Sequence, residues 1–210
     1  FVHDTQGHVA AAMGESHVPR LKSIFWETTW ADRNLGSITQ AGLVNNLNDG
    51  MVWGLFPMLL LLKGFSLAEI GVITAIYPAV WGLGQLGTGK LSDLICQKDL
   101  LTYGLLLQAL ALLGLIWAVS FFQFAGLSVV LGLGTAMVYP TFLSAIATHT
   151  HPLDRAKSLG IFRLWRDSGY AVGALLTGVL SAYFSYSISI ASIAGLTVLS
   201  AVIVWKRMRC

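Results

Sequence analysis

The chain has 210 residues, 55% of them hydrophobic and only 11% charged, with a mean hydropathy of +0.70. An ordinary soluble domain carries about 25% charged residues, so this balance excludes one and indicates helices packed in lipid, where glycine is also common. The net charge of +3 would suggest nucleic acid in a soluble chain, but here the basic residues flank apolar stretches, so they set orientation in a bilayer and no nucleic-acid partner is expected.

Residues 1–36 are polar and mixed and form an expected cytoplasmic linker. From Val18 onward, Leu21, Ile24, Phe25 and Trp30 fall on one side of a helical wheel, which predicts either a short amphipathic helix at the membrane surface or a solvated linker with some helix. The chain opens on Phe1 and is expected to be a piece of a longer protein. A bundle of six apolar spans follows over residues 37–206, each near the ~20 residues that a bilayer-crossing helix needs. The first span is 37–62 and ends at the turn Lys63-Gly64-Phe65. The second is 67–91, introduced by a capping-box pair, Ser66 and Glu69, with Phe65 and Ile70 placed for a hydrophobic staple. Pro78 is expected to bend it. The third and fourth spans are 100–120 and 122–147, separated only by the run SFFQF. The loop THTHPLDRAK breaks the pattern at Pro152, after which the fifth and sixth spans are 157–183 and 187–205.

Lysine and arginine in the loops fix the expected orientation. With the N-terminus cytoplasmic, that side holds Arg20, Lys22, Arg33, Lys90, Lys98, Arg155, Lys157, Lys206, Arg207 and Arg209, and the other side holds only Lys63. Both termini are therefore expected in the cytoplasm. Cys96 and Cys210 fall on the same side, where thiols stay reduced. No metal-ligand spacing or disulfide framework is visible, and no metal or cofactor is expected.

Charges at membrane depth are costly and therefore informative. The fifth span carries Arg163, Arg166 and Asp167. Arg163 and Asp167 are four apart, share a helix face and are expected to pair. At 1.5 Å per residue, Arg166 lies roughly 14 Å into the span from Lys157 and is left without a partner. Tyr170 continues the same face. The first span contains Asn45, Asn46, Asn48 and Asp49, an unusually polar run for a membrane helix. Asp49 sits roughly 18 Å deep, near the midplane. A carboxylate there is a natural proton carrier, since burial favours the neutral acid and a nearby arginine the charged form. Asp49, Arg163, Arg166 and Asp167 are thus the candidates for transport and proton coupling, against the plainer possibility of a static ion pair in a packed core. Gln40, Asn45, Asn46, Asn48, Tyr77, Trp81, Gln85, Tyr139 and Tyr170 are candidates to line a cavity, with Gln108 and Trp165 as weaker ones.

The loop after the second span reads Gly89-Lys90-Leu91-Ser92-Asp93-Leu94-Ile95-Cys96-Gln97-Lys98. It resembles the G-x-L-a-D-r-x-G-r-k signature of the major facilitator superfamily: Gly89, Leu91, Asp93 and Lys98 match, while Leu94, Cys96 and Gln97 depart from the usual Arg, Gly and Arg. A degraded copy of this kind resembles the one in the second half of that fold. The resemblance implies an all-α membrane protein, a six-transmembrane-helix bundle forming the C-terminal half of such a transporter, preceded by its central cytoplasmic loop. It implies a gating-loop role for Gly89, Asp93 and Lys98. It also implies that the first, second, fourth and fifth spans line a central cavity, supported by the third and sixth. The expected function is secondary transport of a small-molecule substrate by alternating access, coupled to protons and leaning to efflux by family analogy, in the bacterial inner (plasma) membrane. The lipid bilayer and a missing N-terminal six-helix half, or a second copy, are the expected partners. The alternative is a non-transporting six-helix scaffold or regulatory subunit. An embedded enzyme finds no support, because no H-E-x-x-H, no G-x-S-x-G and no paired catalytic carboxylates stand at membrane depth.

Overall fold

The computed structural model describes residues 18–210, apart from the side chain of Asp93. Residues 1–17 of the expected linker lie outside the described residues. The described chain is helical, with no strand among those residues. A short turn, α1 (Ile24–Trp26), runs into a π-turn over Glu27–Ala31. The long helices follow as α2 (Arg33–Gly54), α3 (Phe56–Leu62), α4 (Leu67–Leu94), α5 (Gln97–Trp117), α6 (Phe121–His149), α7 (Pro152–Tyr183) and α8 (Tyr186–Arg207).

Local chemistry explains the ends. Asp32 caps α2 by accepting from the backbone N–H of Asn34 and Leu35 at 2.9 and 2.8 Å. The Ser66–Glu69 capping box opens α4, and a second one, Ser120–Gln123, opens α6. Phe65 packs against the core that contains Ile70. Gly64, at φ +86°, makes the tight turn between α3 and α4.

The helix ends depart from the sequence reading in two places. The stretch 37–62 is not one helix but α2 and α3, broken at Leu55. Pro57 lies in the first turn of α3, and its ring cannot continue the ladder back to the carbonyl one turn earlier. The break at Pro152 is narrower than the expected loop: α6 ends at His149, and Pro152 itself starts α7 ahead of Lys157, with His151 as the cap. Proline suits the first turn of a helix, where its missing N–H costs nothing.

The cysteines are a third departure. They do not stay reduced: Cys96 and Cys210 are joined as a disulfide across 114 residues, with Cα atoms 5.7 Å apart. Helices α5 and α8 pack side by side, which brings the start of one to the end of the other. The Asp99 carboxylate reaches the same corner, within 4.8 Å of the sulfurs. Sulfurs bonded to each other offer no thiolate to a metal.

Helix α2 is the central element, packed along α7 and α8, while α4 packs on α6 and α5 lies between α6 and α8. Two apolar cores stack along the bundle. One gathers Met51, Phe56, Ile73, Leu112, Phe124 and Ile193, and the other gathers Ile38, Leu105, Phe142, Phe162, Ala201 and Val204. Between them every central helix changes to polar residues at the same level: Asn45, Asn48 and Asp49 on α2, Gln108 on α5, Thr135 on α6 and Thr197 on α8, all buried. Four helices are long and apolar enough to cross a membrane by length and composition: Leu67–Ser92, Gln97–Trp117, Phe121–His149 and Tyr186–Arg207. Helices α2 and α7 are more polar because they carry the candidate residues. The molecule is an all-α membrane bundle.

Candidate functional site in the polar layer

The polar layer has two parts, divided by α2. On the side toward α5 and α8, Asn48 donates to Gln108 Oε1 at 2.6 Å, and Gln108 donates to Asn45 Oδ1 at 2.9 Å. Thr197 donates to Asn48 Oδ1 at 2.8 Å, and Asn45 to Asn46 Oδ1 at 3.2 Å. These amides hold one another, so Asn45 and Asn48 lock helices together rather than open onto space. Gln40 behaves similarly, donating to Ser37 O on its own helix and to Ser200 O on α8.

On the side toward α4, α6 and α7 the layer is less complete. Asp49 is 1% exposed. Its Oδ1 accepts from the hydroxyl of Tyr77 on α4, and Thr135 Oγ1 on α6 lies 3.1 Å from that hydroxyl. Its Oδ2 is buried without a hydrogen-bond partner, as are Trp81 Nε1 and Asn46 Nδ2. Buried polar atoms are almost always paired, and three without a protein partner fall in this one layer.

Aromatic rings surround these atoms. Trp53 lies 6.2 Å from Tyr77, Tyr77 stacks at 6.2 Å on Trp81, and Trp81 lies 4.9 Å from Tyr139. The Arg166 guanidinium of α7 sits 5.5 Å over the Tyr139 ring and 5.7 Å over Phe162. Tyr170, one turn further along α7, is half-buried. Each helix thus supplies side chains one turn apart on one face: Asp49 with Trp53, Tyr77 with Trp81, Thr135 with Tyr139, and Arg166 with Tyr170.

The ion pairs differ from the expected ones. Arg163 does not pair with Asp167; it is exposed, and Asp167 pairs instead with Arg166, Nε donating to Oδ1 at 2.7 Å. Lying over Tyr139 and Phe162 turns the Arg166 guanidinium inward, and the neighbouring carboxylate follows it from the wet side, 53% exposed against 16% for Arg166. Gln85, Gly89 and Lys98 are half-buried, and the Asp93 side chain lies outside those described. Trp165 donates its indole N–H to Thr29 at 3.1 Å. Thr135 and Thr197 went unsingled in the sequence because threonine in a helix commonly bonds its own backbone. The four-residue spacing of Thr135 from Tyr139 was the available signal.

Close backbone approach holds the site together. On Gly173 a Cβ would fall 2.5 Å from Leu47 O, and on Gly50 2.5 Å from Tyr170 O. Glycine at these points lets α2 and α7 touch backbone to backbone. The helix bearing Asp49 and the helix bearing Arg166 therefore lie in fixed register.

Comparison with known proteins gives a family and several relatives. The model of the family described as Major Facilitator Superfamily matches residues 39–209. The chain is 27% identical over 152 residues to the inner membrane transport protein YnfM of Escherichia coli (strain K12), covering 72% of this chain and 36% of that protein. It is 24% identical over 146 residues to the MFS-type transporter YwoD of Bacillus subtilis (strain 168), covering 70% and 32%. It is 27% identical over 123 residues to the transporter BU588 of Buchnera aphidicola, covering 59% and 30%. The match spans about a third of the length of these curated relatives.

Proposed function

This chain belongs to the major facilitator superfamily, and on that premise we propose that it is one six-helix half of a secondary transporter moving a small solute by alternating access, coupled to protons at Asp49. The observation that carries the reading is Asp49 itself: a carboxylate in the middle layer of the bundle, with one oxygen held by Tyr77 and the other buried and unpartnered. A charged carboxylate away from water needs partners for both oxygens. A proton on Oδ2 removes the charge and supplies a donor, so the occupancy of this one atom changes what the layer tolerates.

The position of Asp49 gives that change a mechanical outlet. It stands on α2, and its contact Tyr77 stands on α4, which packs with α6, while α2 packs with α7 and α8. Protonation loosens the link between these two groups of helices; deprotonation tightens it. Arg166 is the cation over this layer, and its pair with Asp167 leaves guanidinium N–H donors unused, so the same layer accepts an anionic group most readily when Asp49 is neutral. On this reading the second bundle that completes the pathway is an N-terminal six-helix half or a second copy of this chain. Export, the gating role of Gly89, Asp93 and Lys98, residence in the bacterial inner membrane and cytoplasmic termini belong to the same proposal, on family analogy and loop charge.

Alternating access can be tested without knowing the solute. Tyr139→Cys is introduced into full-length protein in a Cys96→Ser, Cys210→Ser background, in right-side-out and inside-out vesicles. A membrane-impermeant maleimide should label it from both sides. Labelling from one side alone, or from neither, is what a scaffold or regulatory subunit predicts and would remove the transporter reading. The proton link is tested separately with Asp49→Asn, which should abolish the pH dependence of that labelling while leaving the protein folded.

A further inference from the structure

We propose that the solute is a planar aromatic acid, its ring laid against Trp81 and Tyr139, which Tyr77 backs from within, and its anionic group held by Arg166 and the Trp81 indole N–H. The proposal rests on the transporter reading above and adds the chemistry of what is carried.

The wall comes first. Trp53, Tyr77, Trp81 and Tyr139 form a continuous series with centroid separations of 6.2, 6.2 and 4.9 Å. Such spacings are those of interacting aromatic pairs. The series crosses three helices, and the remaining cores of this bundle are dominated by aliphatic and phenylalanine side chains. Trp81 and Tyr139 are half-buried, so each still presents surface. Rings so arranged offer an offset-stacking surface to one more flat ring.

The polar groups at the end of the wall decide the charge of the ligand. Arg166 lies over the last ring, Tyr139, and only its Nε and one terminal nitrogen are engaged, both by Asp167 Oδ1. A guanidinium has five N–H donors in a planar fork suited to a carboxylate. Asp167 is 53% exposed, so it can give way to an incoming anion and remain solvated. Trp81 Nε1 is a buried donor with no acceptor, next to the same ring. These two unused functions are donors, as is the unpartnered Asn46 Nδ2 of the same layer. The one unused acceptor, Asp49 Oδ2, belongs to a residue 1% exposed, screened by Tyr77, and a ligand cation does not reach it. Behind the exposed Asp167 carboxylate, the group that lies over the rings is the Arg166 guanidinium, which repels a cation and attracts an anion. An aromatic anion matches the rings and the unused donors together. An aliphatic acid leaves the rings unused.

The experiment is equilibrium dialysis with purified full-length protein and labelled benzoate, salicylate and naphthoate. Cyclohexanecarboxylate serves as the non-aromatic match and benzyltrimethylammonium as the aromatic cation. At least one aromatic acid should bind saturably, about threefold to tenfold tighter than cyclohexanecarboxylate, the range expected for one stacked ring pair. The cation should not displace it. Arg166→Gln should weaken binding at least tenfold, Arg166→Lys should restore part of it, and Trp81→Phe should weaken it severalfold. Equal binding of cyclohexanecarboxylate, displacement by benzyltrimethylammonium, or no saturable binding of any aromatic acid would each overturn the proposal. Two-sided labelling of Tyr139→Cys combined with no aromatic-acid binding sinks the substrate class alone, whereas one-sided labelling sinks the transporter reading beneath it.

Discussion

At Asp49 a single hydroxyl decides how a membrane-depth carboxylate is tolerated. Tyr77 donates to Oδ1 and is fixed in turn by Thr135 and by its neighbours Trp53 and Trp81. Removing that donor takes from Oδ1 its hydrogen bond. A buried charged acceptor that loses its partner costs about 1–3 kcal/mol. Tyr77→Phe keeps the ring, its stacking and its volume, so the cost falls on Asp49 and not on packing. We expect proton-driven flux in vesicles containing the full-length protein to fall about tenfold, with little change in the amount of folded protein, since 1.4 kcal/mol is a factor of ten. Unchanged flux in Tyr77→Phe would show that Asp49 does not work through this contact. Asp49 was legible in the sequence because a carboxylate at a span's midpoint is conspicuous in any reading. Its partner was less so, because tyrosines in membrane helices are common at interfaces, and only the crossing of α2 and α4 distinguishes this one.

At the scale of elements, the pairing of α2 with α7 is the contact on which the site depends. Gly173 faces Leu47 at a separation that admits no side chain, while Gly178, five residues further along α7, has nothing within 4 Å of where its Cβ would stand. Gly173→Leu should therefore destabilise the protein by more than the roughly 1–3 kcal/mol typical of overpacking, seen as a fall of several degrees in thermal midpoint in detergent. Gly178→Leu should be nearly neutral. A second contact ties residues 20–31 to the start of α7. Asp154 is buried, accepts from Arg20 Nε at 2.8 Å and from the Leu21 backbone N–H at 3.1 Å, and Thr28 bonds Ser158 at 3.2 Å. Its hydrogen bond to Arg20 holds the Asp154 carboxyl below the usual carboxylate range. A depressed carboxyl contributes stability above its unfolded value, about 3.9, and loses it as pH falls through the lower folded value. Amide exchange in residues 21–31 should thus stay slow from neutral pH down to about pH 4 and accelerate only in stronger acid. Asp154→Asn should make it fast throughout, and slow exchange in that variant would mean the segment is held by Thr28 and Thr29 alone. The apolar periods of these helices are legible in the sequence, but which glycines meet a neighbour is not: Gly173 does and Gly178 does not. The clasp is not legible either, since Arg20 and Asp154 are 134 residues apart and nothing local marks either as the other's partner.

Over the whole molecule, hydropathy and capping residues were enough to read an all-helical membrane bundle and its order of helices. Two features they missed depend on how helices lie against one another: the Arg166–Asp167 pairing and the Cys96–Cys210 disulfide. In each a side chain is turned by a neighbour distant in sequence, which a periodicity does not encode, whereas the break at Leu55 is local and follows from Pro57. The exposed surface still asks for a partner. Leu83 and Leu86 on α4 are 71% and 82% exposed, and a membrane bundle can present such residues either to lipid or to a second bundle. The proposed orientation rests on charge: Lys63 lies in the turn between α3 and α4, while Lys157 lies near the start of α7, at the opposite end of the bundle. Ten of the loop and terminal Lys and Arg side chains share the end of Lys157, and Lys63 stands without company at the other. Positive residues are retained on the cytoplasmic side during insertion, so the end with Lys63 should face outward. In full-length protein lacking both native cysteines, Lys63→Cys should react with an impermeant maleimide in intact cells, and Lys157→Cys only after the membrane is inverted or opened. The reverse pattern would overturn the orientation, and with it the cytoplasmic placement of the clasp at Asp154 and of the gating loop. Adding lysines beside Lys63, in the turn after α3, should then reduce correctly oriented protein progressively, because each one weakens the asymmetry that directs insertion.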